Sequence, residues 1–213
     1  MLRRHSSGSR GDTLIEVLFA VSVFSLVAVG GLAVMNQGSA ASERALEISL
    51  VRDQMNSQAE TLRFLNNSYV SAFRAGITYG SGTPAGQWAL MSASIKAKPI
   101  ATLSALGVTS CPLSYAPGSF ILNTQLATFA DASNLKPATT FSQVNYVMSG
   151  GKPTISSSQG LWIEAVSYDP ITSGDAAQST IGYIDFHIFA CWDSPGQPVP
   201  VTLGTIVRLY EPR

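Results

Sequence analysis

The chain has 213 residues with 13 basic and 13 acidic side chains, so its formal net charge is zero. Charged residues make up only 12% of it, against about 25% in typical soluble domains. No stretch combines clustered basic residues with aromatic ones, which argues against DNA as a direct high-affinity ligand. The length allows one domain with a hydrophobic core and one additional extended element.

The N-terminal segment combines a basic start with a long apolar run. The first residues, MLRRHSSGSR, are mostly polar or basic, and residues 14–35 form a largely apolar run with one charge, Glu16. About 20 apolar residues suffice for a helix to cross a bilayer. Arginines precede the run and none follows it directly, which places the N-terminus in the cytoplasm and the rest of the chain outside.

Three interpretations compete for this segment. A secretory signal peptide has a shorter apolar core, and the best small-residue cleavage site, Gly38-Ser39-Ala40, lies far downstream of it. A permanent single-span anchor accounts for every residue except Glu16, because an acidic side chain in the hydrocarbon costs about 3 kcal/mol and usually has a function. The third interpretation rests on the residues that surround the carboxylate.

The stretch Gly11-Asp12-Thr13-Leu14-Ile15-Glu16-Val17-Leu18 resembles the processing site of type IV prepilins. The family pattern is a glycine, one further residue, then Thr-Leu-Ile-Glu and an apolar helix. The resemblance implies that a membrane peptidase cuts after Gly11 and methylates the new amine of Asp12. It also implies that Glu16 pairs with the amine of a neighbouring subunit in a filament. Either charge alone would be costly in an apolar environment. Glu16 solvated near the cytoplasmic interface is the alternative.

The same resemblance implies a structural and non-enzymatic function without cofactors. The protein would be a single-pass membrane precursor first and part of an extracellular type IV pilus or related filament afterwards. Implied partners are other pilin subunits, the prepilin peptidase, the assembly platform and its ATPase. The roles of such filaments include motility, DNA uptake, adhesion and secretion, and the sequence does not distinguish them.

Asp12 departs from the family pattern, in which the first mature residue is commonly aromatic or otherwise apolar. A second carboxylate beside the amine competes with Glu16, so N-methylation and the choice between a major pilin and a minor pilin or pseudopilin stay open. A membrane-anchored binding or adhesion domain that never polymerises is the alternative from another class. An anchored enzyme ranks third, because the sequence contains no G-x-S-x-G, H-E-x-x-H or P-loop motif.

Beyond the apolar run, hydrophobic residues recur at three- and four-residue steps, which predicts that the helix continues as an amphipathic segment to about Asn67. The predicted stripe consists of Ala41, Ala45, Ile48, Val51, Met55, Ala59, Leu62 and Leu65. Two ion pairs are predicted on the polar face, Arg44 with Glu47 and Glu60 with Arg63.

From Ile77 onward, Gly, Pro and Ser punctuate the chain, and alternating apolar residues predict an antiparallel meander packed on the amphipathic helix. The predicted strands are 141–148, Leu161–Tyr168, Tyr183–Trp192 and Val201–Tyr210. Long loops are predicted at 149–160 and 169–180. The layout of residues 84–135 stays open, since the segments 89–95 and 120–129 fit either helix or strand.

The predicted fold class is therefore α+β and pilin-like, with a long N-terminal helix packed on an antiparallel β-sheet head. A cytoplasmic leader occupies residues 1–11, and the membrane-spanning or filament-core helix occupies 12–35. An amphipathic continuation follows at 36–68. Residues 69–213 form the β-rich head outside the cytoplasm.

Cys111 and Cys191 are the only two cysteines and lie 80 positions apart, which excludes a CxxC motif. In an exported chain such a pair more often forms a disulfide, which loop-closure entropy makes worth about 4 kcal/mol. Two buried free thiols are the alternative.

The remaining candidate sites are weaker. Asp185 and His187 share a strand face without a nucleophile nearby, and an exposed strand histidine is the preferred interpretation. Asp169 and Asp175 flank an oxygen-rich loop, which a solvated turn explains better than calcium binding. Asn66 begins a glycosylation sequon, and core or strand packing is predicted for Trp88, Trp162 and Trp192 in preference to a binding platform.

Overall fold

The structure is a computed structural model that describes residues 12–130, 134–168 and 182–212, with side chains from Leu14 onward. Helix α1 spans Asp12–Arg74. The chain divides into two compact units, Met1–Ala45 and Leu46–Arg213. The described part of the first unit is the beginning of α1, residues 12–45. The second unit contains the remainder of α1, residues 46–74, and all other elements.

In its described residues, the second unit adds one helix and eight strands to the end of α1. They are α2 (Pro84–Ala97), β1 (Ile121–Asn123), β2 (Thr128–Ala130), β3 (Leu135–Lys136), β4 (Gln143–Ser149), β5 (Lys152–Gln159), β6 (Leu161–Tyr168), β7 (Tyr183–Trp192) and β8 (Val201–Tyr210). Helix α2 starts with a capped first turn. Pro84 supplies the fixed φ of a first helical position, and the Thr83 hydroxyl accepts a hydrogen bond from the Gly86 N–H at 3.2 Å.

The main sheet has the strand order β6-β7-β8, with both pairings antiparallel. The predicted bounds of its three strands are confirmed, and so is the predicted alternation along β7. The inward side chains of β7 are buried in the core: Ile184, Phe186, Ile188 and Ala190. We call the opposite side, where Tyr183, Asp185, His187 and Phe189 lie, the outer face.

The core of the second unit joins α1, α2 and the inner face of the main sheet in one cluster. Val51, Met55, Leu62 and Leu65 are at most 4% exposed, which confirms the central part of the predicted stripe. Burial of each such side chain contributes about 1.5–3 kcal/mol. The predicted stripe starts too early, because Ala41 and Ala45 are exposed.

Two segment predictions are wrong. Helix α1 continues to Arg74 instead of ending near Asn67. Its polar residues do not stop it, because the Asn66 amide donates to the Tyr210 carbonyl and the Ser68 hydroxyl donates to the Phe64 carbonyl of the same helix.

The predicted loop at 149–160 is instead strand β5, paired antiparallel with β4. Gly150 and Gly151, with φ of 57° and 75°, make the tight turn of this hairpin. Hydroxyls of β5 bond carbonyls of β4, from Thr154 to Val147 and from Ser156 to Asn145. This serine-rich segment therefore forms a strand, in which side-chain hydroxyls add hydrogen bonds to the backbone pairing with β4.

Across the ranges that the structure describes, the strands form three sheets and not one meander. Strand β3 pairs parallel with β5, which pairs antiparallel with β4, and β1 pairs with β2. The segment left open by the sequence contains α2, β1 and β2. The predicted loop at 169–180 lies outside the described residues.

Residues 98–119, which we call the cover segment, contain no helix or strand and cross the outer face of the main sheet. The segment contacts all three strands. Its contacts include Ser104 with Glu164 on β6, the Leu106 side chain beside Gly204 on β8, the disulfide from Cys111 to Cys191 on β7, and the Tyr115 ring 5.0 Å from that of Trp162 on β6.

Candidate functional site

Residues 14–35 of α1 carry an apolar surface that the described residues of the first unit leave open. The large apolar side chains are between 43% exposed, at Val23, and 75% exposed, at Leu26. Exposed apolar patches on soluble monomers rarely exceed a few hundred Å². By length and composition, α1 can cross a membrane. This surface therefore requires lipid or other protein around it.

The polar groups within this surface are suited to such an environment. The Ser22 hydroxyl donates to the Leu18 carbonyl at 2.7 Å, and the Ser25 hydroxyl donates to the Val21 carbonyl at 2.7 Å. Because each hydroxyl bonds the preceding turn of its own helix, neither needs water as a partner. Glu16 is the one carboxylate among the residues 14–35.

Glu16 is exposed and lies close to the start of α1, which the structure places at Asp12. A carboxylate near a helix N-terminus is favoured by the helix dipole. Among the described side chains, no ion pair includes Glu16. Gly11 and the side chain of Asp12 lie outside what the structure describes. In an apolar environment, Glu16 would need a cation from another molecule.

Glu47 connects α1 to the main sheet within the second unit. Its carboxylate accepts hydrogen bonds from the Trp192 indole at 3.0 Å and from the Ser194 hydroxyl at 2.7 Å. The predicted pairing with Arg44 is wrong, because the carboxylate of Glu47 is turned to these head residues. The other predicted pair is confirmed, with Glu60 and Arg63 2.6 Å apart.

A buried carboxylate that the sequence did not reveal holds the cover segment on the outer face. Glu164 on β6 is fully buried. It accepts hydrogen bonds from the Ser104 N–H at 2.8 Å, from the Ser104 hydroxyl, and from the Trp162 indole at 2.8 Å. These donors compensate for the desolvation of the carboxylate. In the sequence, the one indication of this contact is that Glu164 follows Trp162 by two residues, which places both side chains on the same face of a strand.

The disulfide between Cys111 and Cys191 is present, with the Cα atoms 5.6 Å apart. It joins the cover segment to β7 close to Tyr115, whose hydroxyl donates to the Lys136 carbonyl at 2.6 Å. Burial raises the pKa of Tyr115 to about 12, which extends to higher pH the range over which the phenol is a donor. The cover segment is thus held by one covalent and several polar contacts.

The Asp185 carboxylate binds an arginine, and not the neighbouring histidine. Arg208 donates two hydrogen bonds of 2.7 Å to it, and its guanidinium lies 4.1 Å from the centre of the Tyr183 ring. The Arg208 hydrogen bonds hold the pKa of Asp185 below its ordinary value. His187 is half-buried, with its ring 6.0 Å from that of Phe189.

Other candidate positions have structural explanations. Trp88, Trp162 and Trp192 are at most 2% exposed, which confirms the predicted core or strand packing. Trp88 and Trp192 belong to the main core, and Trp162 packs with Phe189 and Cys191 on the outer face. Asn66 is 6% exposed, so its amide lies in the interior and not where a glycan could be attached. The described residues contain no group of three His, Cys, Asp or Glu side chains that could hold a metal ion. Asp169 and Asp175 lie outside them.

Comparison with family models, with curated proteins and with solved structures finds no match for this chain.

Proposed function

We propose that the chain is the precursor of a structural subunit of a type IV pilus or related filament. It is inserted in the membrane by α1, cut after Gly11 and extracted into a filament, in which Glu16 pairs with the amine of Asp12 on a neighbouring subunit. The proposed role is not enzymatic. The proposed partners are other pilin subunits, the prepilin peptidase, and an assembly platform with its ATPase.

The observation that supports this proposal best is the open apolar surface of residues 14–35 with one carboxylate in it. A helix that only anchored the protein would gain nothing from a carboxylate inside the hydrocarbon. In a filament, each helix exchanges lipid contacts for contacts with other helices, and a heterologous contact of this kind repeats without closing. The second unit supports the proposal by its own complete core, which does not depend on residues 14–35.

Two alternatives share parts of this evidence. A minor pilin or pseudopilin would have the same helix and the same carboxylate, and the abundance of the chain in purified filaments separates it from a major subunit. A non-polymerising, membrane-anchored adhesion or binding domain is favoured by the same apolar helix. In that case the leader stays uncut and Glu16 has no partner.

Replacement of Glu16 by glutamine tests the proposed pairing, because Glu16→Gln keeps the size of the side chain and removes its charge. We expect normal membrane insertion and cleavage, with filament yield reduced at least tenfold, roughly the effect of losing a charge-assisted contact. The matched control is Glu43→Gln, at an exposed carboxylate of the same helix, which should leave the yield unchanged. Equal filament yields from both variants would contradict the pairing.

A further inference from the structure

The cover segment begins and ends at nearly the same point. A Cβ atom placed on Gly118 would lie 2.9 Å from the backbone carbonyl oxygen of Lys98, so the two ends of the segment are in contact. Gly118 has a φ of 93°, which favours glycine at this approach. Among the described residues, no backbone group of residues 99–115 bonds to another backbone group. The segment is therefore a loop with closely spaced ends that is held mainly through its side chains.

The segment and the outer face of the main sheet enclose a small apolar cluster. Its members include Trp162, Phe189 and Cys191 from the sheet and Val108, Cys111 and Tyr115 from the segment. The main core lies on the inner face of the sheet, and in the part of the chain that the structure describes it contains no residue of the cover segment. The segment can therefore leave the sheet as a local unit without dismantling the main core.

The disulfide is the covalent attachment of the segment to the sheet, and the other attachments are polar. Besides its bonds to Glu164 and Lys136, the segment donates from the Gly107 N–H to the Thr202 hydroxyl at 3.1 Å. Water can replace each polar partner when the segment opens, so the net contribution of each bond is small. Fixing a long irregular loop costs much conformational entropy. The disulfide confines the middle of the loop to β7, so its loss makes open conformations accessible.

The two sulfur atoms differ in access. Cys191 on β7 is 1% exposed. Cys111 is half-buried, and its neighbours Ser110 and Leu113 are exposed, the leucine at 86%. Thiol–disulfide exchange begins when a thiolate reaches one sulfur of the bond, and access decides which sulfur is attacked. The bond is therefore open to attack at Cys111, with Cys191 as the leaving group.

We propose that the cover segment is a redox-controlled flap. The bond between Cys111 and Cys191 holds it closed over the outer face, and reduction by a dithiol opens it on its closely spaced ends. One thiolate of the dithiol attacks the Cys111 sulfur, and Cys191 leaves as a thiolate and takes up a proton. The second thiol of the dithiol then displaces the Cys111 sulfur, so the reductant becomes a disulfide and the chain gains two thiols.

The reverse reaction closes the flap. A newly made chain carries both cysteines as thiols, so a reactant that bears a disulfide must oxidise them before the flap is fixed over Trp162 and Phe189. That reactant takes up the two electrons and is reduced to a dithiol. The inference goes beyond the proposed function and does not depend on it, because the flap, the bond and the covered face all lie in the second unit.

Digestion of the full chain in detergent with chymotrypsin, with and without dithiothreitol, tests the flap. Cleavage after Tyr115 requires its ring to leave Trp162. We expect reduction to speed this cleavage at least about tenfold, because proteolysis follows the population of the open form. Cleavage after Leu126 is the internal control, since this residue lies in the turn between β1 and β2 and is 40% exposed with the bond intact. Its rate should not respond to dithiothreitol.

The matched variant carries Cys111→Ser together with Cys191→Ser. It should be cut after Tyr115 as fast as the reduced chain, both with and without dithiothreitol. Hydrogen exchange separates opening of the flap from unfolding of the unit, and the backbone amides of β7 should stay protected in the reduced chain and in this variant. Brief treatment of the unmodified chain with glutathione, quenched by acid, should place glutathione on Cys111 and not on Cys191.

Equal rates of cleavage after Tyr115 with the bond intact and reduced would overturn the flap, because the segment would then stay closed without the bond. Loss of protection in β7 on reduction would also overturn it, since the bond would then hold the whole unit together. Glutathione on Cys191 would contradict the order of attack. None of these outcomes depends on whether filaments form, so the proposed function stands or fails separately.

Discussion

Replacement of the buried carboxylate at position 164 tests how the cover segment is held. In Glu164→Gln, the amide oxygen can keep the hydrogen bonds from the Ser104 hydroxyl and the Trp162 indole, which both reach Oε1. The amide nitrogen then faces the Ser104 N–H, which now donates to Oε2 at 2.8 Å. Two donors meet there, so the buried amide nitrogen of position 164 and the N–H of the half-buried Ser104 are both left without an acceptor.

An unsatisfied buried donor costs about 1–3 kcal/mol, so we expect Glu164→Gln to lower the free energy of unfolding by about 2 kcal/mol. For a unit of this size that corresponds to a decrease in Tm of about 6 °C. Glu164→Leu leaves all three donors without an acceptor and should cost more, about 4 kcal/mol. Urea or thermal unfolding of the full chain in detergent, followed by tryptophan fluorescence, measures both.

The control is Glu60→Gln, since Glu60 is an exposed carboxylate in a surface ion pair with Arg63. It should change the free energy of unfolding by less than about 1 kcal/mol. If Glu164→Gln unfolds at the same denaturant concentration as the unmodified chain, Glu164 does not hold the segment. If Glu164→Leu is more stable than the unmodified chain, the free-energy cost of desolvating the carboxylate is larger than the stabilisation from its three hydrogen bonds.

Two further predictions concern the same sheet. Replacement of Cys111 and Cys191 by serine should lower the free energy of unfolding by about 4 kcal/mol through the entropy of the opened loop, and unchanged stability on urea unfolding would contradict this. The depressed pKa of Asp185 means that its pairing with Arg208 stabilises the fold above the ordinary carboxylate pKa of 3.8 and is lost as the pH falls through the lower folded value. Arg208→Gln should therefore lose less stability than the unmodified chain between about pH 5 and pH 2, and an equal or steeper loss would contradict the pairing.

Periodicity predicted the elements whose side chains alternate or repeat without interruption. The clearest case is β7 of the main sheet, whose inward residues, such as Ile184 and Phe186, are apolar at every second position. The central stripe of α1 was predicted because Val51, Met55 and Leu62 recur at helical steps.

Elements stabilised by specific polar contacts were missed. Strand β5 has the composition of a loop, and it pairs with β4 because Thr154 and Ser156 bond carbonyls across the hairpin. The end of α1 was predicted too early because asparagine disfavours a helix interior. Here the Asn66 amide donates to the Tyr210 carbonyl, a contact that the local sequence does not indicate. Contacts between residues far apart in sequence do not follow from local patterns.

The features of the candidate site likewise include some that the sequence predicts and some that only the structure reveals. The exposed apolar surface and the isolated Glu16 follow from composition alone. The roles of Glu47 and Glu164 do not, because each carboxylate depends on donors that the fold brings from distant parts of the chain.

The N-terminus of the membrane-extracted chain tests the central claim most directly. Intact mass and N-terminal sequencing should show a chain that starts at Asp12, with or without a methyl group on its amine. That start establishes processing after Gly11 and makes Glu16 the fifth residue of the mature protein. A start at Met1 would show a permanent anchor, and a start near Ala41 a secreted soluble protein, and either result would contradict the account.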